Sequence, residues 1–292
     1  MQNKEFKAKA YGKINLYLDV LNKRRDGYHN IRSVMQTVSL HDNLTLSISC
    51  ADENCIEISC TDPNIKCDQS NLVHKAASLF IEKRRIRCTN FKFHIEKNIP
   101  VSAGMAGGSA DAAAALKMLN EAYDFPYSEK ELCKLGRALG ADVPFCIMGG
   151  TCICEGIGEK LTRLPTFSDL CILVSIDSSS VSTPKAFSML DESYGTKCKD
   201  SADIGKMIDA IKRKDVSGVC SALYNKFESV IIPSNKGVSQ IKGSLLGLDA
   251  LGTLMSGSGP SVFAIFPDEK TAKNAAECLE IFEIRADVCK TI

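Results

Sequence analysis

The sequence predicts an α+β fold in two domains: a mixed N-terminal domain and a C-terminal domain of ferredoxin-like pattern. Three observations lead there. The chain has 292 residues, a length at which single cores give way to more than one domain. Before Pro165, segments of period-two alternation stand beside segments with helical stripes. After it, strands and helices alternate in β–α–β-like stretches, as in ferredoxin-like units. The character changes near Leu164-Pro165, which sets the expected domains at 1–165 and 166–292.

Hydrophobic residues make up 45% and charged residues 24%, an ordinary globular mixture. The formal net charge of +1 gives no electrostatic case for nucleic acid or a membrane surface. MQNKEFKAKA lacks the apolar core of a signal peptide, and no stretch reaches the ~18 apolar residues of a span. A cytoplasmic protein is expected. The fourteen cysteines form no metal-ligand spacing and read as reduced thiols used as small apolar residues.

Residues 7–20 alternate, with Ala8, Ala10, Gly12, Ile14, Leu16, Leu18 and Val20 on one face. Lys9, Tyr11, Lys13, Asn15, Tyr17 and Asp19 take the other, so a half-buried strand is expected. Lys13 and Asn15 then point the same way, about 7 Å apart. A solvated strand-face lysine is the simplest reading of Lys13 taken alone. Asp26-Gly27 signals a turn before Tyr28-His29. Those two rings are either ordinary loop residues or a stackable platform for a planar group. Strands follow at Val34–Leu40 and Leu44–Cys50, with His41-Asp42-Asn43 as a hairpin turn, and another at Ile56–Cys60.

Leu72, Ala76, Leu79 and Phe80 stripe a helix from Asn71 to Lys83. A strand at Phe91–Ile95 runs into Pro100-Val101-Ser102-Ala103-Gly104-Met105-Ala106-Gly107-Gly108-Ser109-Ala110, and a helix at Ala112–Leu119 runs out. Glycines let a backbone approach a ligand closely, and a turn opening on a helix N-terminus suits phosphate. Ser109 or Asp111 is the expected N-cap. The loop is neither a Walker loop nor a dinucleotide fingerprint, and a plain strand–turn–helix connection is the alternative.

Ser128-x-x-Glu131 is a capping box for a helix to about Leu139. Asp142 stands among apolar neighbours, where a carboxylate is capped, paired or functional. Thr151–Cys154 and Cys171–Ile176 read as strands. A polar loop at 178–184 ends in Thr183-Pro184, read as N-cap and N1 of a helix. Helices are expected at Ala202–Lys212 and Val216–Phe227. The last elements are strand Leu251–Met255, a glycine turn at Ser256–Ser261, strand Val262–Phe266, helix Glu269–Glu280 and strand Ile284–Val288.

Four blocks together carry a resemblance: Gly12-Lys13-Ile14-Asn15-Leu16 with Asp26-Gly27-Tyr28-His29, then Pro100–Ala110, Gly140-Ala141-Asp142-Val143-Pro144-Phe145, and Met255–Ser261. In order and spacing they resemble the galactokinase, homoserine kinase, mevalonate kinase and phosphomevalonate kinase (GHMP) superfamily. The likeness spans Lys9 to Phe266 and is greatest to members that act on 4-diphosphocytidyl-2-C-methyl-D-erythritol. It implies the two-domain fold of that superfamily and ATP-dependent phosphorylation of the C2 hydroxyl, on the non-mevalonate route to isoprenoids.

The same resemblance implies roles for single residues. Asp142 matches the catalytic base and Lys13 the active-site lysine. Pro100–Ala110 matches the ATP phosphate loop, with Asn71 and Lys97 as nucleotide contacts. Asn15, Tyr28, His29 and Thr183 match substrate contacts, the aromatic pair lying against the cytosine. Mg²⁺ accompanies ATP, with Ser109 as its protein ligand. The partner is that small molecule, with neither nucleic acid nor membrane, and the chain is a monomer or weak homodimer. The loop departs from the family pattern at Ala106, where glycine is usual, and at Ala110, where serine is common. Alanine fits at 106 only if φ is negative there, so nucleotide affinity is the property these changes touch.

Three rivals stay open on the sequence. Another kinase of the superfamily would leave the Tyr28-His29 platform without a purpose. A nucleotide sensor would have no need of both Lys13 and Asp142. A binding module would make all the glycines structural.

Overall fold

The computed structural model describes residues 4–177, 182–195 and 202–292. The chain divides into two compact units that are not consecutive in sequence. One comprises Met1–Gly12, His41–Val101 and Ala106–Met148; the other comprises Lys13–Leu40, Ser102–Met105 and Gly149–Ile292. This differs from a single boundary at 165/166, because two long strands each contribute to both units.

Those strands are β1 (Lys4–Lys23) and β2 (His29–Cys50). β2 runs unbroken through His41-Asp42-Asn43, where a hairpin turn was expected. Asp42 is buried within the strand and accepts hydrogen bonds from the Asn98 and Ile99 N–H groups and the Lys97 ammonium. Partners from elsewhere in the chain satisfy a carboxylate that local pattern assigns to a turn.

In the first unit, β2 pairs antiparallel with β4 (Thr89–Glu96) from Asn43↔Glu96 to Cys50↔Thr89, and β3 (Cys55–Cys60) joins β4 in parallel. Phe91, Phe93 and Ile95 alternate inward with Lys92, His94 and Glu96 outward, which makes β4 a half-buried strand. Their inner face packs on α1 (Leu72–Arg84) and α2 (Gly107–Ala122). Small side chains from Ala110 to Ala115 let α2 be buried nearly all round. The expected N-caps differ here. α2 begins at Gly107 behind Ala106, so Ser109 and Asp111 lie inside its first two turns. α3 (Glu129–Arg137) opens on the Ser128–Glu131 capping box, and α4 (Val143–Met148) follows Asp142.

In the second unit, β5 (Thr151–Gly156) pairs with β2 from Ile31↔Gly156 to Gln36↔Thr151, and β6 (Lys160–Arg163) extends it. β7 (Cys171–Ile176) begins the second sheet. α5 (Thr183–Tyr194) is capped by Ser182 rather than Thr183, and the loop expected before it lies in part outside the described residues. α6 (Ile204–Arg213) follows. α7 (Val216–Ser221) is shorter than expected, because Tyr224–Asn225 leave it to form β8 beside β1. Two helices not read from the sequence, α8 (Glu228–Ser234) and α9 (Lys236–Leu246), precede β9 (Gly252–Met255). β10 (Ser261–Phe266), α10 (Glu269–Glu280) and β11 (Ala286–Lys290) complete the chain. The second sheet has the order β11-β7-β10-β9 and is antiparallel throughout. With helices after its first and third strands, this is the β-α-β-β-α-β ferredoxin-like pattern, elaborated by α6, α7 and α8.

From Gly12 to Val20, β1 is buried on both faces, not one. Lys13, Asn15, Tyr17 and Asp19 all lie inside. Alternation was correctly periodic, but the polar second face is covered: Lys13, Asn15 and Tyr17 find hydrogen-bond partners there, while Asp19 Oδ1 is buried without one.

Candidate active site

In the second unit, the site is organised by Lys13, whose residue is only 4% exposed. Its ammonium donates to Asn15 Oδ1 and to the Gly104 carbonyl, both at 2.7 Å. Asn15 also accepts from Gly257 N–H at 3.1 Å and donates through Nδ2 to Ser33 Oγ at 2.9 Å. Ser256 Oγ donates to the same Gly104 oxygen at 3.1 Å, and Asn225 Nδ2 donates to the Gly257 carbonyl at 2.8 Å. A Cβ at Gly104 would overlap the Ser256 carbonyl, and φ there is +68°. Glycine at 104 thus has two independent requirements: close approach and left-handed backbone. Two glycine turns far apart in sequence lock together and aim one lysine.

No carboxylate among the described residues lies within ion-pair distance of Lys13. Two of its three N–H groups go to neutral acceptors and the third is unspent. A buried cation with neutral acceptors only is a site for an anion.

The loop crosses from one unit to the other between Met105 and Ala106. Positive φ recurs at Ser102, Gly104 and Ala106. Ala106 at φ +58° fails the condition of negative φ set above; it holds a left-handed conformation without glycine's freedom. In the first unit, α2 starts there with no side-chain cap and no acidic residue in its first turn. Its first helical bond is Ala110 N–H to the Ala106 carbonyl at 2.9 Å. The N–H groups of Gly107, Gly108 and Ser109 have no acceptor among the described residues, an arrangement that suits anionic oxygens. Ser109 Oγ has no partner there either. Asp142 is half-buried at the start of α4, and its carboxylate has no hydrogen-bond partner among the described residues.

Two expected nucleotide contacts have other partners. Asn71 caps α1, its Oδ1 accepting from Val73 N–H at 2.9 Å and its Nδ2 donating to the Lys66 carbonyl at 2.8 Å. Lys97 is buried beneath Gly107, paired with Asp42 at 2.5 Å and with Asp111 at 2.9 Å. Burial pulls the lysine's pKa down, but the two carboxylates outweigh it and hold it above its ordinary value. Burial, with the Asp42 charge, pushes the Asp111 carboxyl up to about 7 against the pull of Lys97. Its Oδ1 has no hydrogen-bond partner. Sequence reasoning missed this cluster, since Asp42 lies in a polar triplet that reads as a turn.

The aromatic pair separates. Tyr28 is 61% exposed, while His29 is 7% exposed and stacks on Phe187, centroids 4.5 Å apart. His29 Nε2 lies 2.8 Å from Asp191 Oδ1, and Lys23 donates to Asp191 Oδ2 at 2.6 Å. Burial pushes the Asp191 carboxyl up, but Lys23 and His29 outweigh it and hold it below the usual range. Thr183 shares a 2.9 Å hydrogen bond with Ser258, on the second glycine turn. Phe187 and Asp191 went unread because α5 carries them at ordinary helical spacing.

GHMP kinases N terminal domain matches residues 71–150, and GHMP kinases C terminal matches residues 207–283. A 4-diphosphocytidyl-2-C-methyl-D-erythritol kinase of Caldicellulosiruptor bescii is 45% identical over 94% of this chain and 94% of its own. One of Acetivibrio thermocellus is 42% identical over 97% and 98%. A crystal structure of 4-(cytidine 5'-diphospho)-2C-methyl-D-erythritol kinase superposes with a TM-score of 0.80 at 28% identity, covering 98% of this chain and 99% of that one. The chain belongs to the GHMP kinases, which take a phosphoryl group from ATP, and within them to the 4-diphosphocytidyl-2-C-methyl-D-erythritol kinase family.

Proposed function

We propose that this protein transfers the γ-phosphoryl group of ATP to the C2 hydroxyl of 4-diphosphocytidyl-2-C-methyl-D-erythritol. The observation that carries this reading is Lys13, buried, aimed and without a carboxylate partner. Phosphoryl transfer asks a protein for position and charge more than for covalent chemistry. The free N–H groups of Gly107, Gly108 and Ser109 hold phosphate oxygens. Asn71 and Lys97 act beneath them by fixing the starts of α1 and α2.

Asp142 takes the hydroxyl proton as the C2 oxygen bonds to phosphorus and the bond from phosphorus to the β-phosphate oxygen breaks. Lys13 stabilises the negative charge with its remaining N–H. Ser109 Oγ would be the protein's ligand to Mg²⁺, and the ion, when bound, would neutralise phosphate charge. Tyr28, His29 and Thr183 hold the substrate, and Asn15 acts through Lys13.

A coupled ADP-release assay tests this. ADP is expected with Mg-ATP and the cytidylyl substrate, and not with methylerythritol phosphate or mevalonate. Turnover of mevalonate, or of none of them, overturns the reading.

A further inference from the structure

Beside Tyr28 stands a set of polar groups that the phosphoryl transfer does not use. The His29 ring lies within 13° of parallel to Phe187, which meets the edge of Phe227 with centroids 5.0 Å apart. One face of the imidazole is covered and its Nε2 is tied to Asp191. Lys23 holds the other carboxylate oxygen. An ionised carboxylate only accepts hydrogen bonds, so Nε2 carries the hydrogen. In the neutral ring Nδ1 then keeps its lone pair, and Nδ1 has no partner among the described residues. The second nitrogen's partner sets the function of the first.

We infer that Asp191, held by Lys23, is a positioning residue for base specificity: it fixes the His29 tautomer whose Nδ1 accepts, and so selects cytosine over uracil. This rests on the reading that the Tyr28–His29 loop holds the base of the substrate. Cytosine presents an exocyclic N4 amine, a donor, where uracil has a carbonyl oxygen, as thymine does. An acceptor lone pair complements the first and leaves two facing acceptors with the second. Sites built around a hydrogen bond reject an analogue that cannot make it more strongly than shape alone does. Lys23 contributes by keeping Asp191 ionised; a protonated carboxyl could donate to Nε2 and reverse the tautomer.

The test compares the cytidylyl substrate with its uridylyl analogue in wild type, Asp191→Ala and Asp191→Asn. Wild type is expected to prefer cytosine. In Asp191→Ala that preference falls about tenfold, through a higher KM with kcat changed less than about twofold. Asp191→Asn recovers part of it, because its amide oxygen still accepts from Nε2. Nitrogen-15 NMR of the ligand-free wild type shows His29 Nδ1 unprotonated, and a tautomer mixture in Asp191→Ala. An unchanged preference in a folded Asp191→Ala, or a protonated Nδ1 in wild type, overturns the inference while leaving the substrate reading intact. If wild type turns over neither pyrimidine substrate, both fall, whatever the NMR result. Should Asp191→Ala fail to fold, the wild-type spectrum and Asp191→Asn decide.

Discussion

The ammonium of Lys13 donates a 2.7 Å hydrogen bond to the carbonyl oxygen of Gly104, ninety-one residues away in sequence. That oxygen faces Lys13 only because Gly104 adopts φ +68° against the second glycine turn. Gly104→Ala forces a methyl group into the Ser256 carbonyl. A loss of about 2 kcal/mol or more in unfolding free energy is expected, with kcat/KM falling at least about tenfold. Calorimetry and steady-state kinetics check it, and a fully stable, fully active variant contradicts the packing described.

Lys13→Met and Asp142→Asn separate charge and proton transfer from folding. Each is expected to lower kcat by a factor on the order of 10³ or more. Asp142→Asn should do so with little change in stability, since its carboxylate has no partner to lose. Turnover near the wild-type rate in either variant removes that residue from the proposed chemistry.

Ala106 holds φ +58° at the entrance to α2. The left-handed conformation costs a residue with a Cβ about 1–2 kcal/mol, part of which glycine gives back as chain entropy on folding. Ala106→Gly is therefore expected to stabilise the protein by about 0.5–1 kcal/mol. Thermal unfolding measures this, and a lower melting temperature shows that the alanine methyl has a favourable contact.

Asp111 has a folded-state pKa of about 7 against an ordinary 3.8. The folded protein holds this proton more tightly than the unfolded chain does. Its contribution is fully present below about pH 4 and lost as pH rises through about 7. Between pH 5 and pH 8, urea unfolding should lose at least about 1 kcal/mol more in wild type than in Asp111→Asn. Equal pH dependence in the two proteins would place the proton elsewhere.

Tyr28 is exposed and makes no buried contact whose loss would unfold the chain. Tyr28→Ala should leave stability within about 0.5 kcal/mol. KM for the cytidylyl substrate should rise while kcat changes little, because a contact remote from the reacting atoms contributes mainly uniform binding. An unchanged KM argues that the tyrosine does not meet the base.

The sequence by itself determined what depends on near neighbours. Alternation at Phe91–Ile95 predicted β4, Ser128-x-x-Glu131 predicted the start of α3, and Glu269–Glu280 emerged with the bounds read from it. The glycine blocks and their order carried the family, and their patterns survive without coordinates. Tertiary structure alone decided which polar groups are buried. Asp42 reads as a turn residue until Lys97, fifty-five positions away, joins it inside β2. Lys13 reads as a solvated lysine until Gly104 and Asn15 take its hydrogens. His29 reads as half of a platform until Asp191, 162 positions on, turns it inward. Periodicity and capping are short-range properties of a backbone. Burial of a charge is a long-range one, because its cost is offset by partners that the local sequence does not contain.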